Sequence, residues 1–439
     1  MKKMMAVLLS CTMTVGVLAA GCGTSGGTYS AESTGDSRDT GSAANKEINI
    51  LMEEVPDTTI VQNQVAAFEE ETGIKVNIET IGYSSMHEKL LTQMIGASNA
   101  YDVVVVDCYW VGEFITAGWL EDLGPYIEKS GFDTTQYVDS MMNMVGQVDG
   151  VTYMIPFYNY MMSLIYRTDI FEDETLRAAY QAEFGTELTM PEDLEGYVEL
   201  CKWITAQNYD YSGVVMQGAR PDPTVVEWAN YLFSCGGDFY DADGNITINS
   251  EEAVKALDLY IDCMTNAAPE GSKNFNLDEA FNVFAQGDAF SYISYNWMIP
   301  KLDNESESSV EGLSELLPIP DGSSLNAGWG WGIPTNAPDK DSAWEFIQWI
   351  ESAEVTKERA LEGGSPTRSD VMNDPEVLEK WPYLETVCEI MEDSKMFPIM
   401  EDATQLVEVL GREISLAVAG DQTSQEALDN VSGEMAGMQ

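Results

Sequence analysis

Four consecutive valines, Val103 to Val106, sit between Asp102 and Asp107 in the stretch YDVVVVD. A run without polar alternation has no face to turn toward water, so it is expected to be a strand covered on both sides. The residues before it supply the covering pieces. INILM at 48–52 reads as a buried strand, and Val61, Val65 and Phe68 mark one face of a helix that stops at Gly73. KVNIETI alternates as a second strand and a helix over about 85–97 follows. Strand, helix, strand, helix, strand is the order of an α/β domain with a largely parallel sheet. Binding crevices in such sheets lie beyond the carboxyl ends of the strands, here Glu53, Glu54, Tyr83, Asp107, Tyr109 and Trp110.

Roughly 390 residues follow position 45, more than one hydrophobic core usually serves, which favours two lobes. From about 155 the chain turns more helical. Thr189 with Glu192, Asn249 with Glu252 and Ser342 with Glu345 have capping-box spacing and are expected to mark helix starts. Amphipathic helices are expected over 344–362 and 402–419. DADGN at 241–245 has its glycine in the wrong place for a calcium loop and reads as a hairpin turn. With no long linker between halves, the chain is expected to cross between lobes more than once.

The N-terminus, MKKMMAVLLSCTMTVGVLAAGC, has Lys2 and Lys3 before an apolar run too short to span a bilayer comfortably. LAAGC resembles the lipobox of bacterial lipoproteins, with Leu18 one place further from Cys22 than is usual. Residues 1–21 are thus expected to be a signal peptide. Cys22 would be lipidated, and 22–45, rich in Gly, Ser and Thr, would form a flexible tether holding the protein on the outer face of the cell membrane. A net charge of −53 repels nucleic acid and anionic lipid. Cys108, Cys201, Cys235, Cys263 and Cys388 show no CxxC spacing and are expected to be buried free thiols.

Several segments in order resemble the family 1 extracellular solute-binding proteins, the group of maltose-binding protein and of polyol and oligosaccharide receptors. They are AFEEETGIKVNIE, YDVVVVDCYWVGEFITAGWLEDLGPYI, DGVTYMIPFYNYMMSLIYRTDIFED, FAQGDAFSYISYNWMIP, AGWGWGIPTNAPDKDSAWEFIQWI and GGSPTRSDVMNDPEV. The tryptophan-rich WGWGIP leans toward the polyol subgroup. The resemblance implies a two-lobed α/β fold of the type II periplasmic-binding-protein kind, with a hinge and an interlobe cleft. Residues 46–155 plus 286–335 would form the N-terminal lobe and 156–285 plus 336–439 the C-terminal lobe. It implies a monomer that takes up a carbohydrate, closes, and delivers it to the permease subunits of an ABC importer, with no catalysis, no cofactor and no metal.

Sugars present apolar C–H faces and a rim of hydroxyls, so their receptors need flat aromatic rings and planar polar groups. The aromatic candidates are Tyr83, Trp110, Tyr158, Trp297, Trp329 and Trp331, with Trp331 favoured and Trp329 expected to turn away from it. The polar candidates are Glu54, Asp107, Asn296 and Arg368, followed by Arg220 and Glu227. Two other functions compete: a membrane-anchored glycoside hydrolase, which needs a pair of carboxyls, and a receptor for a cationic solute such as a polyamine. His87 is the sole histidine, and no GxSxG, HExxH or Walker motif occurs. A structural or adhesin role is disfavoured by the absence of repeats.

Overall fold

In the computed structural model, residues 46–438 are described. The expected signal peptide, lipidation site and tether lie outside them.

The valine run is β3 (Val103–Asp107), and every residue in it is buried. Its companions are β1 (Glu47–Glu53) and β2 (Lys75–Ile81), paired in parallel with Ile50 opposite Ile78 and opposite Val103. Between them run α1 (Pro56–Thr72) and α2 (Tyr83–Ile95). α1 starts on Pro56, whose fixed φ suits the first turn, and ends at Gly73 in the left-handed conformation (φ 74°) that a glycine adopts without strain.

Parallel pairing stops there. β4 (Met154–Arg167) is 14 residues long, roughly 46 Å at the usual rise. It serves two sets of partners. Its first part pairs antiparallel with β7 (Asn326–Gly332), which pairs antiparallel with β3 on its other side. Its second part, from Met162 on, pairs antiparallel with β5 (Ser291–Tyr295) and β6 (Ser314–Leu317). The strand order is β2-β1-β3-β7-β4-β5, with β6 also on β4. The expectation of a largely parallel sheet therefore holds only for β1 to β3. The expected grouping of 286–335 with 46–155 also divides: β7 joins β3, whereas β5 and β6 join the far part of β4.

Helices α3 (Leu194–Ala206), α4 (Asp222–Ser234) and α5 (Glu251–Asn266) belong to the β5 end, where Trp228, Tyr231 and Tyr260 are fully buried. At the other end, α6 (Lys340–Ile350) and α7 (Ala353–Leu361) lie by α1, with Phe346 and Trp349 edge-on to Phe68 at 5.3 and 5.5 Å. Buried Asp102 fastens α6 to the sheet by accepting from the backbone of Asn49 and of Asp339, both at 2.9 Å. α8 (Ala403–Ala419) and α9 (Ser424–Met435) return to α4 and α5.

The expected helix starts shift. Asp193, Ser250 and Asp339 cap α3, α5 and α6, each accepting from a backbone N–H of the first turn, in place of Thr189, Asn249 and Ser342. The DADGN stretch is a hairpin, with Tyr240 bridged to Ile246 and Asp241 accepting from Asp243 and Asn245. All five cysteines among the described residues are free, but only Cys108, Cys201 and Cys263 are buried; Cys235 and Cys388 are half-buried.

Candidate functional site

The ends of β1, β3 and β5 converge on the middle of β4 and β7, where the two parts of β4 meet. Their side chains build a wall of rings. Tyr83 stacks on Trp110 at 5.7 Å, and Trp329 stands edge-on to both, at 6.0 and 5.3 Å. Trp329 also approaches Tyr158, which stacks on Tyr160 at 4.4 Å. Tyr160 in turn meets Tyr295 and Trp297 at 5.8 and 5.4 Å. Chain geometry explains this alignment: Asp107 of β3 and Tyr158 of β4 are the partners of Trp329 on either side.

Four carboxyls accompany the rings. Glu53 ends β1 and accepts from the Tyr158 hydroxyl at 3.1 Å, while Asp57 in the first turn of α1 accepts from Tyr160 at 3.3 Å and from the Ser365 backbone at 2.9 Å. Asp107 ends β3 and caps the turn after it through the Tyr109 N–H, with the Tyr83 hydroxyl close by. Asp222 opens α4 from the opposite side. Burial disfavours the charged form of each. Desolvation, reinforced by Asp107 nearby, raises Glu53 to about 8 and Asp222 to about 7. Desolvation also raises Asp57 and Asp107 to about 6, against the hydrogen bonds they accept. Three polar atoms here are buried without a hydrogen-bond partner: the Tyr109 hydroxyl, Asp222 Oδ1 and Trp297 Nε1. Burying such groups unpaired costs free energy, so they suit a polar ligand that completes them.

The structure brings Tyr83, Asp107, Trp110, Tyr158, Trp297 and Trp329 together and disperses the rest. Trp331 is fully buried and its indole N–H donates to Glu351 at 2.8 Å. Positions two apart on a strand share a face, so the tryptophans differ in depth: Trp329 reaches the join, while Trp331 lies a rung below among Phe157 and Phe346. Trp331, favoured in the sequence, lies in the core, whereas Trp329, expected to turn away from it, shares its face and stands among the rings at the join. Glu54 is exposed, and its neighbour Glu53 takes the place foreseen for it. Arg220 is exposed too. Arg368 forms a two-pronged pair with Asp370 at 3.0 and 2.8 Å and donates to the Glu351 carbonyl, away from the rings. Asn296 is fully buried as a brace, accepting from the Met161 N–H at 2.9 Å where β4 changes partners. Glu227 is buried within α4 and accepts from the Gln217 N–H at 2.6 Å. Glu53, Asp57, Tyr109, Tyr160 and Asp222 were not among the expected contacts. Strand-end position pointed to Glu53 and Tyr109, whereas no local pattern points to Asp222.

Two groups of strands that share the long β4, joined where aromatic and acidic side chains converge, define a two-lobed binding protein of the periplasmic type. Residues 53–357 match the family described as bacterial extracellular solute-binding protein, and the chain belongs to that family. One similar protein is a probable amino-acid ABC transporter periplasmic-binding protein of Sinorhizobium fredii, 23% identical over 374 residues, covering 84% of this chain and 83% of that one. Another is the erythritol/L-threitol-binding protein of Mycolicibacterium smegmatis, 23% identical, covering 81% and 78%. Among solved structures, an ABC transporter solute-binding protein of Agrobacterium radiobacter K84 in complex with ribitol superposes with a TM-score of 0.79. It is 25% identical, over 89% of this chain and 98% of that one. The two-lobed type II fold read from the sequence is the fold of these relatives.

Proposed function

We propose that this protein is the solute receptor of a carbohydrate ABC importer. A sugar or polyol docks in the join between the lobes, the hinge closes, and the closed form presents the ligand to membrane permease subunits. The observation that carries the reading is the continuous ring wall from Trp110 through Trp329 to Trp297, with carboxyls at its edge and unpartnered polar atoms facing the same place. Ring faces suit the C–H faces of a sugar, and the carboxyls suit its hydroxyls. The polyols named for two relatives support this class of ligand.

The ligand contacts in this reading are Glu53, Asp57, Tyr83, Asp107, Tyr109, Trp110, Tyr158, Tyr160, Asp222, Trp297 and Trp329. The lobes are residues 46–161 with 326–392, and 162–325 with 393–438. The chain acts as a monomer, performs no chemistry on its ligand, and is held outside the cell through a lipid on Cys22. Thermal-shift measurements on the purified protein against polyols, monosaccharides, oligosaccharides, polyamines and amino acids test the reading. A ligand present at about a hundred times its Kd adds about 2.7 kcal/mol of stability. Melting temperatures should rise with a carbohydrate and not in Trp329→Ala. A shift with amino acids alone overturns the carbohydrate assignment, and release of product from any oligosaccharide overturns the claim that no reaction occurs.

A further inference from the structure

Glu53, Asp107 and Asp222 have an unusual setting. Each is in or beside the ring wall, yet among the described residues none of the three takes part in an ion pair; only Asp57, with Arg359 in its surroundings, feels a basic group. The three come from different elements, the ends of β1 and β3 and the start of α4. Asp107, paired through β3 to Trp329, lies close enough to raise both Glu53 and Asp222, Asp222 in turn raises Glu53, and Asp222 Oδ1 is buried without a partner.

A neutral polyhydroxy ligand would satisfy hydrogen bonds there and leave the mutual repulsion in place. Three unpaired carboxylates in a poorly solvated space favour a cation. Ring faces reinforce that choice, since an ammonium is drawn both to carboxylates and to the π faces of Trp and Tyr. Among the described residues no group of His, Cys, Asp and Glu is arranged to hold a metal ion, which points to an organic cation. Independent of the acids, the Tyr109 hydroxyl, on a residue 5% exposed, points to the same place without a partner, close to Asp222 and Tyr295.

Resting on the carbohydrate reading, we propose that the preferred ligand carries a protonated amine, an amino sugar or amino alditol, with its ammonium held between Asp107 and Asp222 and near Glu53. The ammonium is also what lets the cleft close: it lies between carboxylates that the lobes bring together from opposite sides. Binding then releases protons from these acids, so affinity rises with pH. The other groups facing the acids are Asp57 from α1, Tyr83 from α2, Cys108 and Tyr109 after β3, Tyr158 from β4 and Tyr295 from β5. Burial raises the tyrosines and Cys108 well above their ordinary values, so neither kind of group ionises in the working range. The primary ammonium of an amino alditol stays charged between pH 6 and pH 8, whereas the ammonium of glucosamine, beside the electron-withdrawing anomeric carbon, loses part of its charge by pH 8.

Calorimetric titration of the purified protein with matched pairs tests the proposal: 1-amino-1-deoxysorbitol against sorbitol, and glucosamine against glucose, at pH 6 and pH 8, with spermidine as a separate probe. The amine-bearing member of at least one pair should bind about tenfold or more tightly than its neutral partner. For the amino alditol pair that preference should weaken at pH 6, and for either pair it should weaken with added salt and shrink in Asp222→Asn and in Glu53→Gln, with circular dichroism confirming that both variants fold. Equal or tighter binding of sorbitol or glucose overturns the proposal and leaves the carbohydrate reading standing. Binding of spermidine with no response to any sugar or alditol overturns both.

Discussion

At the scale of single residues, two tryptophans two positions apart lie at different depths. Trp331 is a core residue whose N–H is held by Glu351, itself paired with Arg359 at 2.7 Å. Trp331→Ala should cost about 3–5 kcal/mol in denaturant unfolding, as large-to-small changes of buried aromatics do. Trp329→Ala should instead lower ligand affinity about tenfold or more in titration calorimetry, with the smaller loss of stability. The raised carboxyls carry a second expectation. An acid whose folded pKa lies above its unfolded value binds extra protons when folded, so stability falls as pH rises through that interval. For Asp222 the interval runs from 3.8 to about 7, and for Glu53 from 4.5 to about 8. The ligand-free protein should therefore melt at a lower temperature at pH 8 than at pH 5. Asp222→Asn should reduce that difference, by on the order of 1 kcal/mol once solvent screening of a half-buried group is allowed for. Residue type and strand-end position singled out Tyr83, Asp107 and Trp110, and residue type alone Tyr158, as side chains that the structure groups together. Depth and side were not legible: Glu54 and Glu53 are neighbours that point apart, and Asp222 reaches the cleft only because α4 is folded against it.

At the scale of elements, the periodic stretches were readable and their ends were not. β1, α1, β2, α2 and β3 fall where alternation and Gly73 place them. Helix starts failed because a chain with 74 acids produces capping-box spacing by chance. An aspartate or serine one or more places away took each cap, and Ser342 ended up donating to Asp339 at 2.7 Å. Among the described residues the boxes that do form are Asn276 with Glu279 and Thr423 with Glu426. Contacts between distant elements leave no local trace at all. A Cβ on Gly112 would lie 2.4 Å from the Met400 carbonyl oxygen and 2.5 Å from its carbon, so the short helix Val111–Thr116 rests directly on that backbone. Backbone cannot rotate away as a side chain can. Gly112→Ala is expected to lower stability by about 1–3 kcal/mol in thermal or denaturant unfolding.

At the scale of the whole molecule, the sequence indicated two α/β lobes and several crossings but not which strands cross. Residues 286–335 read as one block because nothing local separates SYISY from NAGWGWG; pairing does, placing them on different stretches of β4. Because one strand serves both ends, neither end has a complete sheet without the other. Calorimetric unfolding of ligand-free protein should accordingly give one transition whose van't Hoff and calorimetric enthalpies agree; two resolved transitions would show that the ends melt separately. The position of β7 has a consequence for how such a chain is made. Among the described residues it is the strand that lies between β3 and β4, so a chain emerging from its N-terminus keeps both of those edges open until residues 326–332 appear. Open edges of apolar strands invite pairing with other molecules. Over the roughly 160 residues between the end of β4 and the start of β7 the polypeptide is committed to a sheet it cannot yet close, and its yield depends on whatever keeps neighbouring chains apart during that wait.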